Sequence, residues 1–371
     1  MDLHGDPRTV LTLDAGGTSF VFGAMRGGRP ILPPLVRPSE GQDLAACLAG
    51  LEAGFREAWD RCGGAVAISF AFPGPADYPN GVIGDLANLP GFRGGVPLGP
   101  MLEARFGVPA FLNNDGDLFA YGEALGGLLP EVNAALAAAG SPKRYRHLFG
   151  ATLGTGFGGG LVVDGRLFLG DNAAGAEIWT TRSKRHPEAF AEEGVAIRAV
   201  RRVYAEVAGL DPAAAPDPKA IFDIAEGRSP GHAGAAREAF RRLGEEAGNA
   251  LAEALTLVDA LVVVGGGLSG AAKLFLPSLV AEMNAPLRTL GGQTLPRTEV
   301  RAFNLEDAAE CAAFLRGEVR HLPVPGTDRT VPYDALKRTG VGLSRLGTSE
   351  ATALGAYAYA LHRLDASPRL P

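Results

Sequence analysis

Cysteine is scarce in this chain of 371 residues: Cys47, Cys62 and Cys311 lie far apart and form no CxxC pair. That excludes a disulfide framework and a cysteine-built metal knuckle, and it suits a reducing compartment. Histidine is also sparse, with six residues and none at metal-ligand spacing. No run of about 18 apolar residues occurs, and the N-terminal Met-Asp-Leu-His-Gly-Asp lacks the basic-then-apolar order of a secretory leader. The expectation is a cytoplasmic protein with no use for a membrane. Positive charge is in the minority, 35 Lys and Arg against 41 Asp and Glu for a formal net charge of -6, and no basic cluster exceeds Arg182–Arg185. Such a chain has no field that would draw nucleic acid or anionic lipid.

Glycine and proline, by contrast, are plentiful, at 52 and 27 residues, in a composition 46% hydrophobic and 20% charged. This is the make-up of a turn-rich globular enzyme, and its length exceeds what one hydrophobic core usually supports, so two lobes are expected. Many glycines punctuate the ends of candidate strands. A strand over Thr9–Leu13 runs into Asp14-Ala-Gly-Gly-Thr18 and then a second β-rich run, Phe20–Met25, the pattern of a hairpin. A helix from about Gln42 to Arg61 follows, with Leu44, Leu48, Leu51, Phe55 and Trp59 on one face. The buried strand Ala65–Phe72 ends at Pro73-Gly74-Pro75, and Ala110–Leu112 leads through Asn113-Asn114-Asp115 into a helix from about Gly116 to Leu125. Strands over His147–Leu153 and Gly158–Val163 then flank Gly154-Thr155-Gly156, repeating the strand, glycine turn, strand unit. Helices are expected at about Glu188–Val207, Lys219–Glu226 and Ala235–Val258. The last feeds an apolar strand, Ala260–Val264, that stops at Gly265-Gly266-Gly267 before a helical Ala271–Met283. Residues 284–346 are mixed, and Ser349–Leu361 forms a final Ala-rich helix. Alternating strands and helices make an α/β fold.

Phosphoryl transfer needs phosphates and a magnesium ion held in place and an acceptor hydroxyl aimed and deprotonated. In the first loop Gly16 and Gly17 allow backbone amides to approach phosphate oxygens, Thr18 offers a hydroxyl, and Asp14 is suited to hold hydrated Mg²⁺. An ordinary hairpin turn with a solvated aspartate is the competing account. Gly154, Thr155 and Gly156 have the same suitability, and two such loops at the ends of buried strands favour phosphate binding. Gly265–Gly267 is weak alone and gains value by coming third in order. Asp115, after two asparagines at a strand end, reads either as a helix N-cap or as a general base, with Asp117 or Gly116 as alternative cap positions.

The ordered motifs LTLDAGGT (Leu11–Thr18), AFPGPAD (Ala71–Asp77), ANLPGF (Ala87–Phe92), LNNDGDLFAYGEA (Leu112–Ala124), LGTGFGGGLVVDGRL (Leu153–Leu167), VVVGGGLS (Val262–Ser269) and TALGAYAYA (Thr352–Ala360) resemble the ROK family of bacterial sugar kinases and sugar-responsive repressors. The resemblance spans Val10 to Leu361, weakly over 284–346. It implies an actin-like ATPase, ribonuclease H-like α/β fold with two lobes and a central cleft. The smaller lobe would be residues 1–115 with the helix about 349–371 packed back on it, and the larger 116–348. It further implies that Asp115 is the catalytic base, that Asp14–Thr18 and Gly154–Gly156 hold phosphates, and that Gly265–Gly267 contacts adenosine. Asn88, Asn114 and Glu177 match residues that hydrogen-bond sugar hydroxyls, and Glu188 matches a further sugar-binding glutamate, with Glu192 and Glu193 as competitors. The implied activity is transfer of the γ-phosphoryl of Mg·ATP to a glucose-like hexose at its C6 hydroxyl, by a homodimer. The rivals are a sugar-responsive repressor, disfavoured because 13 residues precede Asp14 and the balance is acidic, and a catalytically weak sugar-binding protein.

One departure from the family pattern is large. Where the family has a histidine and a three-cysteine zinc loop, Glu177-Ile178 is followed here by Trp179-Thr180, and no cysteine occurs between Cys62 and Cys311. His186 and Trp179 are candidates to compensate, against the simpler accounts of a solvated loop histidine and a packing tryptophan. Metal analysis of the purified protein is expected to find no stoichiometric zinc, with the fold intact in chelator. One zinc per chain would overturn this.

Overall fold

Thr9 to Leu13 are all buried on a strand, Thr9–Ala15, that is covered on both faces, which explains its lack of a charged residue before Asp14 and its Val, Leu and Thr content. The computed structural model describes residues 3–16, 19–85 and 90–366; Gly17, Thr18 and Asn88 lie outside these. The chain forms two compact units, one of Met1–Gly126, Arg166–Gly175 and Leu346–Pro371, the other of Gly127–Gly165 and Ala176–Arg345.

In the first unit, Thr9–Ala15 pairs antiparallel with Ser19–Arg26 and parallel with Ala67–Ala71, which in turn lies parallel to Ala110–Asn113. The Leu44–Cys62 helix covers one face. Asp43 caps its start by accepting from the Ala46 amide at 3.1 Å, and Gly63 ends it in the left-handed conformation. Phe55 meets Phe22 edge-to-face at 5.0 Å, within a core that also holds Leu51, Ala58 and Phe70. The helices Asp115–Gly126 and Thr348–Ala366 pack on each other, and the latter also packs on the two central strands. Their backbones touch. A Cβ on Gly122 would meet the Ala351 carbonyl oxygen at 1.9 Å, and one on Gly355 would meet that of Leu118 at 2.0 Å.

The second unit repeats the opening pattern. Leu148–Leu153 and Phe157–Val163 form an antiparallel hairpin, and Leu261–Gly265 lies parallel to the first of them. Arg338–Leu343 and Arg301–Asn304 continue the sheet in parallel. The Ala233–Val258 helix buries Phe240, Leu243, Ala247, Leu251 and Leu255, the face legible in the sequence, and packs against Ala272–Met283 and Ile197–Ala208.

Three differences from the sequence reading stand out. The helix expected over Glu188–Val207 is broken: Glu192–Val195 and Ile197–Ala208 are separate, with Ala196 extended at φ -76° and ψ 168°. The break has a cause, because the Ile197 amide donates to the Gly154 carbonyl at 2.8 Å and not to the preceding turn. Residues 284–346, unread before, contain two hairpins (Leu287–Arg288 with Thr294–Leu295, and Val319–Pro323 with Thr330–Asp334), two sheet strands and the helix Ala308–Arg316. Helices Leu98–Phe106 and Leu128–Ala138 are also additional.

The Gly355→Ala variant should lower stability by at least about 2 kcal/mol, since an inserted methyl must push two helix backbones apart. Denaturant midpoints measure it; an unchanged midpoint would show that the two helices separate freely.

Candidate active site

Three parallel strands of the first unit deliver their carboxyl ends to one edge, where α/β sheets gather ligand-binding groups. Asp14 comes from Thr9–Ala15, Phe72 and Pro73 follow Ala67–Ala71, and Asn114 and Asp115 follow Ala110–Asn113. Together with Ser349 these residues line a cavity of about 600 Å³. Ser349 Oγ donates to Asp14 Oδ2 at 3.1 Å. Gly16 closes the first loop, its amide donating to the Ser19 carbonyl at 3.0 Å, so that amide is committed to the turn.

The cap of the Asp115–Gly126 helix is Asn114, which corrects the placement at Asp115, Gly116 or Asp117. Asn114 precedes the helix and its Oδ1 accepts from the Gly116 amide at 2.8 Å, the N-cap geometry. Asp115 Oδ1 also accepts from Gly116 N–H, at 2.9 Å, while its surface stays open to the cavity. Its pKa is raised above the ordinary aspartate value. Desolvation by the surrounding walls is the main cause; the Gly116 amide and its own amide oppose it, and the Asp14 charge adds to it. Because the carboxylate remains exposed to the cavity, this desolvation is that of a concave site and not of a core. A carboxylate so placed is suited to accept a proton from a bound hydroxyl.

In the second unit the other two glycine loops sit side by side at the ends of adjacent parallel strands. A Cβ on Gly154 would stand 3.8 Å from the Gly267 amide. Gly266 is required where it is: its φ is 88°, and a Cβ would come within 2.4 Å of the Leu153 carbonyl oxygen. Ser269 satisfies the Gly266 carbonyl through its hydroxyl at 2.7 Å. Thus Gly154, Thr155, Gly156, Gly265, Gly266 and Gly267 form one cluster of backbone.

The sugar candidates are more dispersed. Asn88 is outside the described residues. Glu177 is partly buried and its carboxylate accepts from the Trp179 indole N–H, while the Trp179 ring packs edge-to-face on Phe190 at 5.3 Å. Trp179 is therefore a packing residue. Glu188 points to solvent, its side chain 79% exposed and 3.9 Å from His186. Among the described residues, Glu188 and Glu177 share no hydrogen-bond or ion-pair partner. Both ends of the intervening segment are tied down: the Ala191 amide donates to Thr181 O at 2.8 Å, and the Ser183 amide to Ala189 O at 2.9 Å.

Several residues of consequence were not singled out from the sequence. Glu246, only 2% exposed, takes the amides of Lys184 and Arg185 at 3.1 and 2.8 Å on its two oxygens. Its chain passes over Gly194, where a Cβ would lie 2.4 Å from Glu246 Cγ. Glu282 pairs with Lys184 at 2.6 Å and with Arg297 at 2.9 Å. Glu192, one competitor for the sugar role, instead accepts from the Phe157 amide at 2.9 Å and pairs with Arg198 at 2.8 Å. Among the described residues no three His, Cys, Asp or Glu side chains are grouped to hold a metal, and no helix is long and apolar enough to cross a membrane.

The sequence pattern of the ROK family matches residues 10–313. The chain belongs to the ROK family. A crystal structure of glucokinase from Parabacteroides distasonis is 54% identical, with a TM-score of 0.89 over 98% of this chain and 99% of that one. Glucokinase of Thermotoga maritima is 30% identical over 175 residues, 46% of this chain and 49% of that protein. The chain thus spans about half the length of the first curated relatives it matches. The N-acetylgalactosamine kinase of Shewanella sp. strain ANA-3 is 26% identical over 87% of this chain and 99% of its own length. The fold of this ROK chain is the actin-like, ribonuclease H-like α/β type.

Glu246→Ala should free the Lys184–Arg185 backbone and open the loop to trypsin. Limited proteolysis is expected to cut the variant there at least about tenfold faster than wild type, as local opening becomes easier. Equal rates would show that the loop is held by its other contacts.

Proposed function

We propose that this ROK-family chain is an ATP-dependent kinase that phosphorylates a glucose-like hexose, at its C6 hydroxyl, with Asp115 as the general base. The observation that carries this reading is Asp115 itself: Asn114 does the capping, and the Asp115 carboxylate is left facing a cavity with its basicity raised. The names of the relatives, glucokinase and N-acetylhexosamine kinase, agree with a hexose acceptor.

In the proposed reaction Asp115 accepts the proton of the sugar hydroxyl as that oxygen bonds to the γ-phosphorus and ADP departs. Asp14 is suited to hold a magnesium ion through water, and the ion would neutralise phosphate charge. Its carboxylate is exposed and oriented by the Ser349 hydroxyl, which leaves one oxygen with no bond from Ser349. The Gly154–Gly156 loop would supply uncharged amide donors for phosphate oxygens, and the backbone of Gly265–Gly267, free of side chains, would face the nucleoside. Asn114, its Oδ1 held as a cap, has its amide nitrogen left to donate to a sugar oxygen. The family resemblance alone supports Glu177, Glu188 and Asn88 as the further proposed sugar contacts; of these Glu177 is partly buried and bonded to Trp179, and Glu188 faces solvent.

A coupled ADP-release assay with Mg·ATP against a panel of aldoses, ketoses and N-acetylhexosamines identifies the acceptor. With that sugar, Asp115→Asn should reduce kcat by about a hundredfold or more while leaving the sugar Kd nearly unchanged. A raised folded-state pKa contributes stability below the unfolded value, near 3.9, and loses it as pH rises through the folded value, so ionised Asp115 adds none at neutral pH. The variant should therefore melt no lower than wild type at pH 7. The acid limb of kcat/KM should likewise fall above the ordinary aspartate range. Retained turnover in the variant would remove Asp115 from the chemistry, and absence of turnover with every sugar in wild type would favour a sugar-binding protein without transfer.

A further inference from the structure

We propose that Arg198 and Glu192 are positioning residues that turn two amides of the second glycine loop, Thr155 N–H and Gly156 N–H, outward as the phosphate donors. The inference rests on the kinase reading and specifies which atoms of that loop do the work.

The donors and acceptors of the loop can be accounted for one by one. The Gly154 carbonyl accepts from the Ile197 amide at 2.8 Å, and the Thr155 carbonyl from Arg198 Nη1 at 3.3 Å. Both peptide bonds that follow are trans. In a trans peptide the C=O and the next N–H point to opposite sides, so fixing these two carbonyls toward Ile197–Ala208 directs the Thr155 and Gly156 amides away from it. Gly154 N–H is spent on the Gly156 carbonyl at 2.9 Å and Phe157 N–H on Glu192 Oε2 at 2.9 Å. Among the described residues, Thr155 N–H and Gly156 N–H meet no acceptor. Two adjacent amides are thus left facing one way while their neighbours on either side are anchored.

The anchor is made of charge that cancels itself. Arg198 Nη2 bonds Glu192 Oε1 at 2.8 Å and Glu193 Oε1 at 2.6 Å, and Arg202 adds a second cation to Glu193 at 3.3 Å. Two carboxylates beside a phosphate loop would repel a polyphosphate; the two guanidiniums offset them. Gly156 cannot carry a side chain here, because a Cβ would come within 2.6 Å of Glu192 Oε2. The extended Ala196 that interrupts the expected helix is what brings Ile197 N–H and Arg198 under the loop.

The test measures the Kd of a non-hydrolysable Mg·ATP analogue by calorimetry, KM for Mg·ATP and for sugar, and melting temperature in Arg198→Met, Arg198→Lys, Glu192→Ala and Glu192→Gln. Arg198→Met and Glu192→Ala are expected to weaken nucleotide binding about tenfold or more, with sugar KM within about twofold of wild type. Arg198→Lys, which keeps a cation, and Glu192→Gln, which keeps an acceptor for Phe157 N–H, should recover part of the loss. Wild-type nucleotide affinity in both Arg198→Met and Glu192→Ala overturns the proposal, as does an equal rise in both KM values with a lowered melting temperature. Wild-type protein that binds no Mg·ATP would overturn the kinase reading itself, and this assignment with it.

Discussion

Two helices of the first unit approach until backbone meets backbone, and the placement of its acidic groups depends on that contact. Gly122 lies against the Ala351 carbonyl and Gly355 against that of Leu118, distances no residue with a Cβ permits. The Asp115–Gly126 helix begins at Asp115 and the Thr348–Ala366 helix begins beside Ser349, so locking the helices together fixes both starts. Two further ties hold the second helix: the Leu346 amide, just before its start, donates to the buried Glu123 carboxylate at 3.0 Å, and at the opposite end of the Thr9–Ala15 strand the Tyr357 hydroxyl accepts from the Gly27 amide at 3.0 Å. Ser349 then orients Asp14. Asp14 and Asp115 thus owe their positions to main-chain geometry, which holds functional groups more tightly than flexible loops do.

The second unit solves its positioning with polar groups. Its long helix buries an apolar face, yet the loops on top are held by carboxylates that accept from backbone amides: Glu246 for Lys184 and Arg185, Glu192 for Phe157. Charge-assisted bonds of this kind are stronger than neutral ones and specify direction as well as distance. Between the two anchors runs the single turn Glu192–Val195, which presents Glu192 to one loop and, through Gly194, makes room for Glu246 to reach the other. Ion pairs of Glu282 with Lys184 and Arg297 extend the same device beneath the 182–190 segment. No thiol takes part in any of these contacts.

Elements with a continuous apolar signal were legible in the sequence. The hairpins around both glycine loops, the strand before Gly265 and the buried face of Ala233–Val258 all follow from residue spacing, because burial on one or both faces dictates it. The break at Ala196 was not legible, since it results from a hydrogen bond to Gly154, far away in sequence. The same holds for Glu192 and Glu246, whose partners lie 35 and about 60 residues away. The sequence reading places the cap at Asp115, Gly116 or Asp117 and passes over Asn114, which caps as well as Asp does, so local chemistry alone does not single it out. The two hairpins within 284–346 carry largely exposed residues, among them Leu290 and Tyr333, and hence show no periodicity of burial.

The charge balance of the second glycine loop bears on what the proposed reaction requires elsewhere. Arg198, the cation bonded to the loop, is spent on Glu192, Glu193 and the Thr155 carbonyl, so the loop offers oriented dipoles and little net charge. Amide dipoles can fix the direction of a phosphate, but they do not cancel several units of negative charge. On the kinase reading that task falls to a divalent cation, and a hard ion of that kind takes one or two carboxylates plus phosphate oxygens and water in preference to a full protein cage. A single exposed aspartate such as Asp14 meets that demand, while Asp115, with its raised pKa and its bond to Gly116, is better matched to proton transfer than to metal binding. On that reading the division of labour between the two acids follows from their hydrogen bonds and desolvation, since both line the same cavity: Asp14 is oriented by the Ser349 hydroxyl at a strand end, and Asp115 is bonded to the Gly116 amide at the start of a helix with its pKa raised.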